Sequence, residues 1–558
     1  SEYLLTNENI TNYVYNCRVE FYDKVYRKSD IYDIKLLKDS LPQYITDIKL
    51  SGRIGIIFSQ KQLDSKIDNI KYNVMLRNIY FISIIPLLLI LLFVLFGNKI
   101  SEIIKSSKIY NINISSKIYN INISLNISIF IILGYLFLII PYCLFVITWT
   151  KYYISIPLII MLLVTLSFII NDTIKKFNEI FNLNLFILIT IILIIILFVI
   201  ISGIGEIFPQ SGDMKNGRNA MMRDLVNFSW PLIYPKNGYG FVYYFAHWVI
   251  PSLIGKIFGL NIGLFSLILW TSLGIFIFYI LFINLLKVKS NIYKLIFIIM
   301  FIFFSVSISD KMKYHIFTEY MPIMSQVYQL FNQSIAIWVM CILFLYQRNS
   351  SNFAFLGLSV VFYSPYAIIG ILPYMFIKVI LDIKNNKFIE LKNIFSISNI
   401  LSSVSIFPLI YLYLSSASTV NDGFKLLITE YNYFVLFISY IVSFGIYMIF
   451  LFKDNKNNYI LYTTIFVFIF VSMVKYSNDH NFSRTNLTAI FFTYFMSVKY
   501  LNENINLKSI KKKLFILLII ISSFSSFIYF ENQIIGFLEN RTETEKYEER
   551  ETFNTSYN

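Results

Sequence analysis

The sequence predicts an all-α, polytopic transmembrane bundle of about thirteen spans, preceded by a small extracytoplasmic N-terminal domain of α+β or irregular structure. Three observations predict it. Of 558 residues, 57% are hydrophobic and only 14% are charged, with a mean hydropathy of +0.65; soluble chains carry roughly 25% charged residues. Several apolar runs reach the roughly 17 to 25 residues that a spanning helix needs. They show no period-2 alternation with polar inward positions, so in lipid the backbone must close its hydrogen bonds within helices and not around a barrel.

The elements follow in order. Residues 1–78 mix charges of both signs with alternating stretches such as KLSGRIGIIFS, and form the N-terminal domain. The chain opens on Ser1 with no signal-like apolar segment, which predicts an upstream removal or a fragment. The transmembrane domain covers 79–530, with apolar runs near 79–96, 127–147, 153–170, 184–205, 262–286, 292–308, 333–346, 353–381, 399–414, 432–452, 460–474, 486–501 and 513–530. The run 353–381 is too long for one ordinary span. Pro365 and Pro373 interrupt it, so a bent helix pair or re-entrant hairpin is expected. SKIYNINIS at 107–115 recurs at 116–124, a local duplication in a loop. A polar, acidic tail occupies 531–558.

The net charge of +15 invites a nucleic-acid reading. The lysines and arginines are spread through loops and are not gathered on one soluble face, so that reading is rejected. Basic loops at 287–294, Arg348, 384–392, 453–456 and 508–513 instead mark a cytoplasmic face. If 353–381 enters and leaves on one side, all five agree. The outward face of a multi-pass cell-membrane protein then receives 1–78, the loops 206–240, 309–332, 415–431 and 475–485, and the tail. Cys17, Cys143 and Cys341 have neither disulfide-framework nor metal spacing.

Within the first of these loops, Asp213 to Pro251 is a polar island between apolar runs. Asp213, Lys215, Asn216, Arg218, Asn219, Arg223 and Asp224 crowd just beyond the run 184–205. Such groups at a membrane edge are costly unless water or a polar substrate meets them. Tyr243, Tyr244, His247, Trp248 and Pro251 follow on an interfacial or re-entrant helix, where aromatics also serve as plain anchors. Gln326, Gln329, Asn332 and Gln333 come at helical spacing as the chain re-enters the membrane. They either join helices or wall a polar cavity for a hydroxyl-rich ligand. Near 475–486, Lys475, Asn478, Asp479, His480 and Arg484 lie at the mouth of the next span. Arg484 suits a phosphate, whose oxygens its planar fork can grip in pairs, although Asp479 is also placed to neutralise it. The three histidines, His247, His315 and His480, show no HxxxH or HExxH spacing, so no metal site is read.

The segments KNGRNAMMRDLVNFSWPLIYP and VYYFAHWVIPSLIGKIFG resemble the first large outward loop of bacterial polytopic proteins related to the GT-C glycosyltransferases. SQVYQLFNQSIAIW, FYSPYAIIGILP and SNDHNFSRTNLTAIFF resemble later segments, so the likeness runs loosely over about 184–502. It implies a GT-C-like enzyme that takes a sugar from a polyprenyl-phosphate carrier and passes it to an envelope glycan or glycoprotein acceptor at the outer face. It also implies an acidic general base in an outward loop, with Asp213 first and Asp224 second, and leaves a divalent cation open as cofactor. The chain departs from the pattern because its loop follows the fourth visible span and holds no adjacent acidic pair. The residues themselves also suit a transporter or flippase for a polar or lipid-linked substrate, or an envelope polysaccharide polymerase or ligase.

Overall fold

The protein is a helical membrane protein. Its computed structural model describes residues 121–177, 179–210, 218–234, 240–307, 320–416, 438, 440–471, 484–504 and 509–538, together with the strand backbones at 14–21, 24–26, 55–58, 424–426 and 474–476. The chain divides into two units, Ser1–Leu88 and Leu89–Asn558. In the first, strands β1 (Val14–Phe21), β2 (Lys24–Tyr26) and β3 (Gly55–Phe58) form an antiparallel sheet in the order β2-β1-β3.

In the second unit the described helices are α1 (Ile127–Trp149), α2 (Tyr152–Lys176), α3 (Leu185–Ile201), α4 (Asn219–Asn227), α5 (Ala246–Phe258), α6 (Leu260–Leu285), α7 (Asn291–Phe303), α8 (Ile323–Tyr346), α9 (Phe353–Val361), α10 (Pro365–Ile394), α11 (Ile397–Ser415), α12 (Ile446–Asn455), α13 (Tyr459–Phe466), α14 (Asn486–Glu503) and α15 (Ile510–Leu538). Single π-helical turns, Ile441–Gly445 and Val467–Val471, adjoin α12 and α13. Seven of the helices, α1, α2, α6, α8, α10, α11 and α15, are long and apolar enough to cross a membrane. The predicted run 79–96 and the repeat up to residue 120 lie outside the described residues.

Local chemistry explains where several helices begin. Asn126 accepts from the Ser128 amide, and Asn184 from the amides of Phe186 and Ile187, each capping donors that a first turn leaves open. The same two asparagines end strands β4 (Asn122–Asn126) and β5 (Ile180–Asn184), which pair antiparallel from Asn122↔Asn184 to Asn126↔Ile180. That ladder replaces part of the loop expected before α1. Strands β6 (Phe424–Leu426) and β7 (Val474–Tyr476) pair in the same way, with Lys425 opposite Lys475, and so tie together two of the expected outward loops.

The run 353–381 is a bent helix pair. Pro365 opens α10 without an amide to donate, and Ser364 before it is extended (φ −162°, ψ 114°), the conformation that a following proline favours. The core of the bundle is aromatic. Phe301 lies edge-on to Trp338 at 4.7 Å and to Tyr494 at 5.0 Å, and Phe278 bridges Trp338 and Phe491. Helix α8 lies almost wholly inside this core, although it carries the three glutamines and the asparagine that the sequence marks as exceptional.

Candidate functional site: an arginine among tyrosines beside two helix breaks

The polar island folds partly into α4. Asn219 donates to Gln210 at 2.5 Å, and Gln210 to the Gly203 carbonyl at 2.7 Å, which fixes the helix start. Its far end is held by Lys256, which donates to the carbonyls of Val226 and Phe228, and by Trp230, whose indole donates to Leu225 at 2.9 Å. A lysine on the last carbonyls complements the helix dipole. Arg223 faces Glu206, with Nη2 at 3.2 Å and 3.3 Å from the two carboxylate oxygens. Asp224 is 1% exposed and accepts from the Tyr234 hydroxyl at 2.7 Å. Burial and the neighbouring carboxylate raise the Tyr234 pKa, so Tyr234 is the donor. The first expected carboxylate pair therefore divides: Asp224 is bonded within the fold, and Asp213, Lys215 and Asn216 lie outside the described residues.

The chain next passes Tyr243 and Tyr244, whose rings stack at 4.1 Å. The Tyr413 hydroxyl donates to the Phe241 carbonyl at 2.9 Å and accepts from the Tyr243 amide at 3.2 Å, which pins this entry to α5. Arg484, in the turn that opens α14, donates from Nη1 to the Tyr244 hydroxyl at 2.9 Å. Its guanidinium also lies 5.9 Å from the centroid of the Tyr366 ring. Arg484 is half-buried and has no ion-pair partner among the described residues. A guanidinium keeps its charge at any ordinary pH, so this is a cation held by one ring and a hydroxyl. Tyr366 reaches it because Gly370, one turn on, lets α14 approach α10: a Cβ there would lie 2.6 Å from the Thr485 carbonyl oxygen.

Two helix breaks follow, the second just before Tyr366. At Leu330, inside α8, the backbone leaves the helix (φ −133°, ψ 29°), and the Ser334 hydroxyl donates to the carbonyls of Gln326 and Leu330 in place of the lost ladder. The second break is Phe362–Ser364. The two meet where the Ser364 hydroxyl donates to Gln333 Oε1 at 2.9 Å. His247, three residues past Tyr244, is fully buried between Phe331 and Tyr363, with ring centroids 5.1 Å and 6.2 Å away. Its Nε2 lies 2.9 Å from Thr271 Oγ1. Burial pulls its pKa down to about 3, so this imidazole is neutral.

Several amide atoms here reach no partner among the described residues. Both amide atoms of Asn332 and of Asn486 are buried without one, as are Gln326 Oε1 and Gln333 Nε2. Gln326 uses its other end on the Met321 carbonyl at 2.8 Å, and Gln329 is half-buried on the same helix. The structure therefore gathers Arg484, His247, Gln326 and Asn332 of the expected residues about the two breaks. No hydrogen bond or ion pair joins Arg484 to Arg223 or Asp224 among the described residues. Lys475 is described only as a strand position, and Asp479 lies outside the described residues.

Tyr366, Ser364 and Asn486 were not singled out by sequence reasoning. All three lie in segments quoted for the family resemblance, but each is an ordinary residue until the fold sets it beside Arg484, Gln333 or α8. No family model, curated protein or solved structure matches this chain.

Proposed function

We propose that the protein is a GT-C-like glycosyltransferase of the cell membrane, with about thirteen passes and its site at the outer face. It takes a sugar from a polyprenyl-phosphate carrier and gives it to an envelope glycan or glycoprotein. The observation that carries this reading is Arg484: a permanent cation with no carboxylate on it among the described residues, beside Tyr244 and Tyr366. A phosphate ester fits such a group through paired charged hydrogen bonds, and a lipid carrier would bring that phosphate to the bilayer edge.

The reaction is a displacement at the anomeric carbon. The acceptor oxygen forms the new bond, the bond from carbon to phosphate oxygen breaks, and its electron pair stays on the lipid phosphate. Arg484 offsets that charge as it develops. The acceptor proton passes to a carboxylate. Asp213 is favoured as this base, because the Asp224 carboxylate already accepts from Tyr234. The test is accumulation of the lipid-linked sugar in cells carrying Arg484→Ala or Asp213→Asn. Unchanged envelope glycans at normal protein levels remove the substituted residue from the mechanism.

A transporter or flippase for a polar or lipid-linked substrate is the second reading, and the break at Leu330 favours it. Broken helices carrying polar groups are a recurring way to build substrate sites inside a membrane. Purified protein in vesicles separates the two: a transferase leaves sugar covalently on acceptor, whereas a transporter moves the intact substrate across the bilayer.

A further inference from the structure

The amides around Leu330 pose a physical problem that Arg484 does not answer. Buried polar side chains in folded proteins nearly always find a partner, and leaving one without costs more than an average hydrogen bond returns. Asn332 and Asn486 are each 0% exposed, and neither the oxygen nor the nitrogen of either amide meets a partner among the described residues. They belong to one neighbourhood. Helix α10 connects them: the Ser364 hydroxyl at its start donates to Gln333 Oε1, next to Asn332, and Gly370 in its second turn closes against Thr485 and Thr488, on either side of Asn486. Gln333 Nε2 and Gln326 Oε1 add a donor and an acceptor on α8 itself, and Ser325 Oγ is also without a partner among the described residues.

We infer that the break in α8 forms a polar compartment, lined by Gln326, Asn332, Gln333 and Asn486, that receives a neutral group bearing several hydroxyls, such as a sugar ring. Two arguments select that class. Amides supply donors and acceptors together, and a hydroxyl needs both; an anion would call for donors alone. The four named side chains also carry no charge, while the cation, Arg484, stands at the start of the same helix as Asn486. One substrate with a charged end and a hydroxylated end would meet both in turn. The inference rests on the proposed function for the identity of the charged end only. At the break the carbonyls of Gln326 and Leu330 are already taken by the Ser334 hydroxyl, so they do not satisfy the neighbouring amides.

The test uses native Cys341 as an internal reference, because it lies nine residues beyond Asn332 on α8 and is fully buried among apolar side chains. Full-length Asn332→Cys protein in lipid vesicles is treated with a small, membrane-impermeant methanethiosulfonate, and labelling is read site by site by mass spectrometry. The position-332 thiol is expected to react roughly tenfold faster than Cys341, because water must fill a polar compartment. Polyprenyl phosphoglucose is expected to slow it, and polyprenyl phosphate without sugar is not. Equal reactivity of the two thiols or equal protection by the two lipids overturns the inference. Should Arg484→Ala bind polyprenyl phosphate as well as the parent protein, the phosphate reading fails while these two results keep their meaning.

Discussion

The Arg484 guanidinium donates to the Tyr244 hydroxyl at 2.9 Å across 240 residues of chain, and this bond ties the entry of α5 to the entry of α14. Among the described residues no other hydrogen bond engages the guanidinium fork. Arg484→Ala is expected to lower sugar transfer by about 100-fold, the scale of removing one charge-stabilising donor from an active site. Arg484→Lys is expected to recover only part of this, because an ammonium lacks the fork. Transfer rates for the two variants at matched protein levels check it. Equal rates for the alanine, lysine and parent proteins would sink the assignment.

Asp224 and Tyr234 make a different kind of claim. Their 2.7 Å bond is buried, so removing the hydroxyl takes a charge-assisted hydrogen bond from a carboxylate away from water. Tyr234→Phe is expected to destabilise the protein by about 1.5 to 3 kcal/mol, read as a fall in Tm in detergent, with substrate affinity unchanged in the folded fraction. A change in affinity at constant Tm would instead place Asp224 in the reaction.

His247 gives a pH dependence with a definite sign. Its folded pKa is about 3 against an ordinary 6.5, through burial, so the unfolded chain binds a proton that the folded chain refuses. Its effect on stability is therefore nil above about pH 6.5. Below that, stability falls by about 1.4 kcal/mol per unit as pH drops towards 3. His247→Gln, which keeps a group able to meet Thr271, is expected to flatten the Tm-versus-pH curve between about 6.5 and 4. A curve with the parent's slope in that window would show that other groups set it.

The legible part of this fold is what composition and spacing control. Apolar length marked the helices, and Pro365 marked the bend after Phe362, because a missing amide and a forced extended residue act locally. Arg484, His247 and the amides of α8 were legible as chemical exceptions in an apolar chain. Other features depend on pairings that no local pattern carries. The strands ending at Asn126 and Asn184 are short and mixed in polarity, and only mutual pairing makes them strands. Tyr366 is one of 42 tyrosines, and nothing in its neighbours announces that Gly370 will bring Arg484 to its ring. Asp224 read as a free outward carboxylate because its partner, Tyr234, reaches it only once α4 has ended and the chain has turned back.

Gly370 offers the last prediction, because stability and function part at it. A Cβ there would stand 2.6 Å from the Thr485 carbonyl oxygen and 2.7 Å from Thr488 Oγ1. Backbone cannot yield as a flexible side chain does, so α14 must move away from α10. That shift carries Arg484 away from Tyr366 and strains the 3.1 Å bond from Thr488 to the Gly370 carbonyl. Gly370→Ala is expected to cost about 1 to 3 kcal/mol, as overpacking does, and to weaken binding of polyprenyl phosphate by about tenfold. Gly357→Ala is the control. It also lies in a helix, but a Cβ there meets nothing closer than 3.7 Å, so better helix propensity should hold or raise Tm with binding unchanged. Parallel melting and lipid-binding curves for the two variants decide the matter: if Gly370→Ala binds polyprenyl phosphate like Gly357→Ala, the close approach of α10 and α14 is packing alone and does not position Arg484.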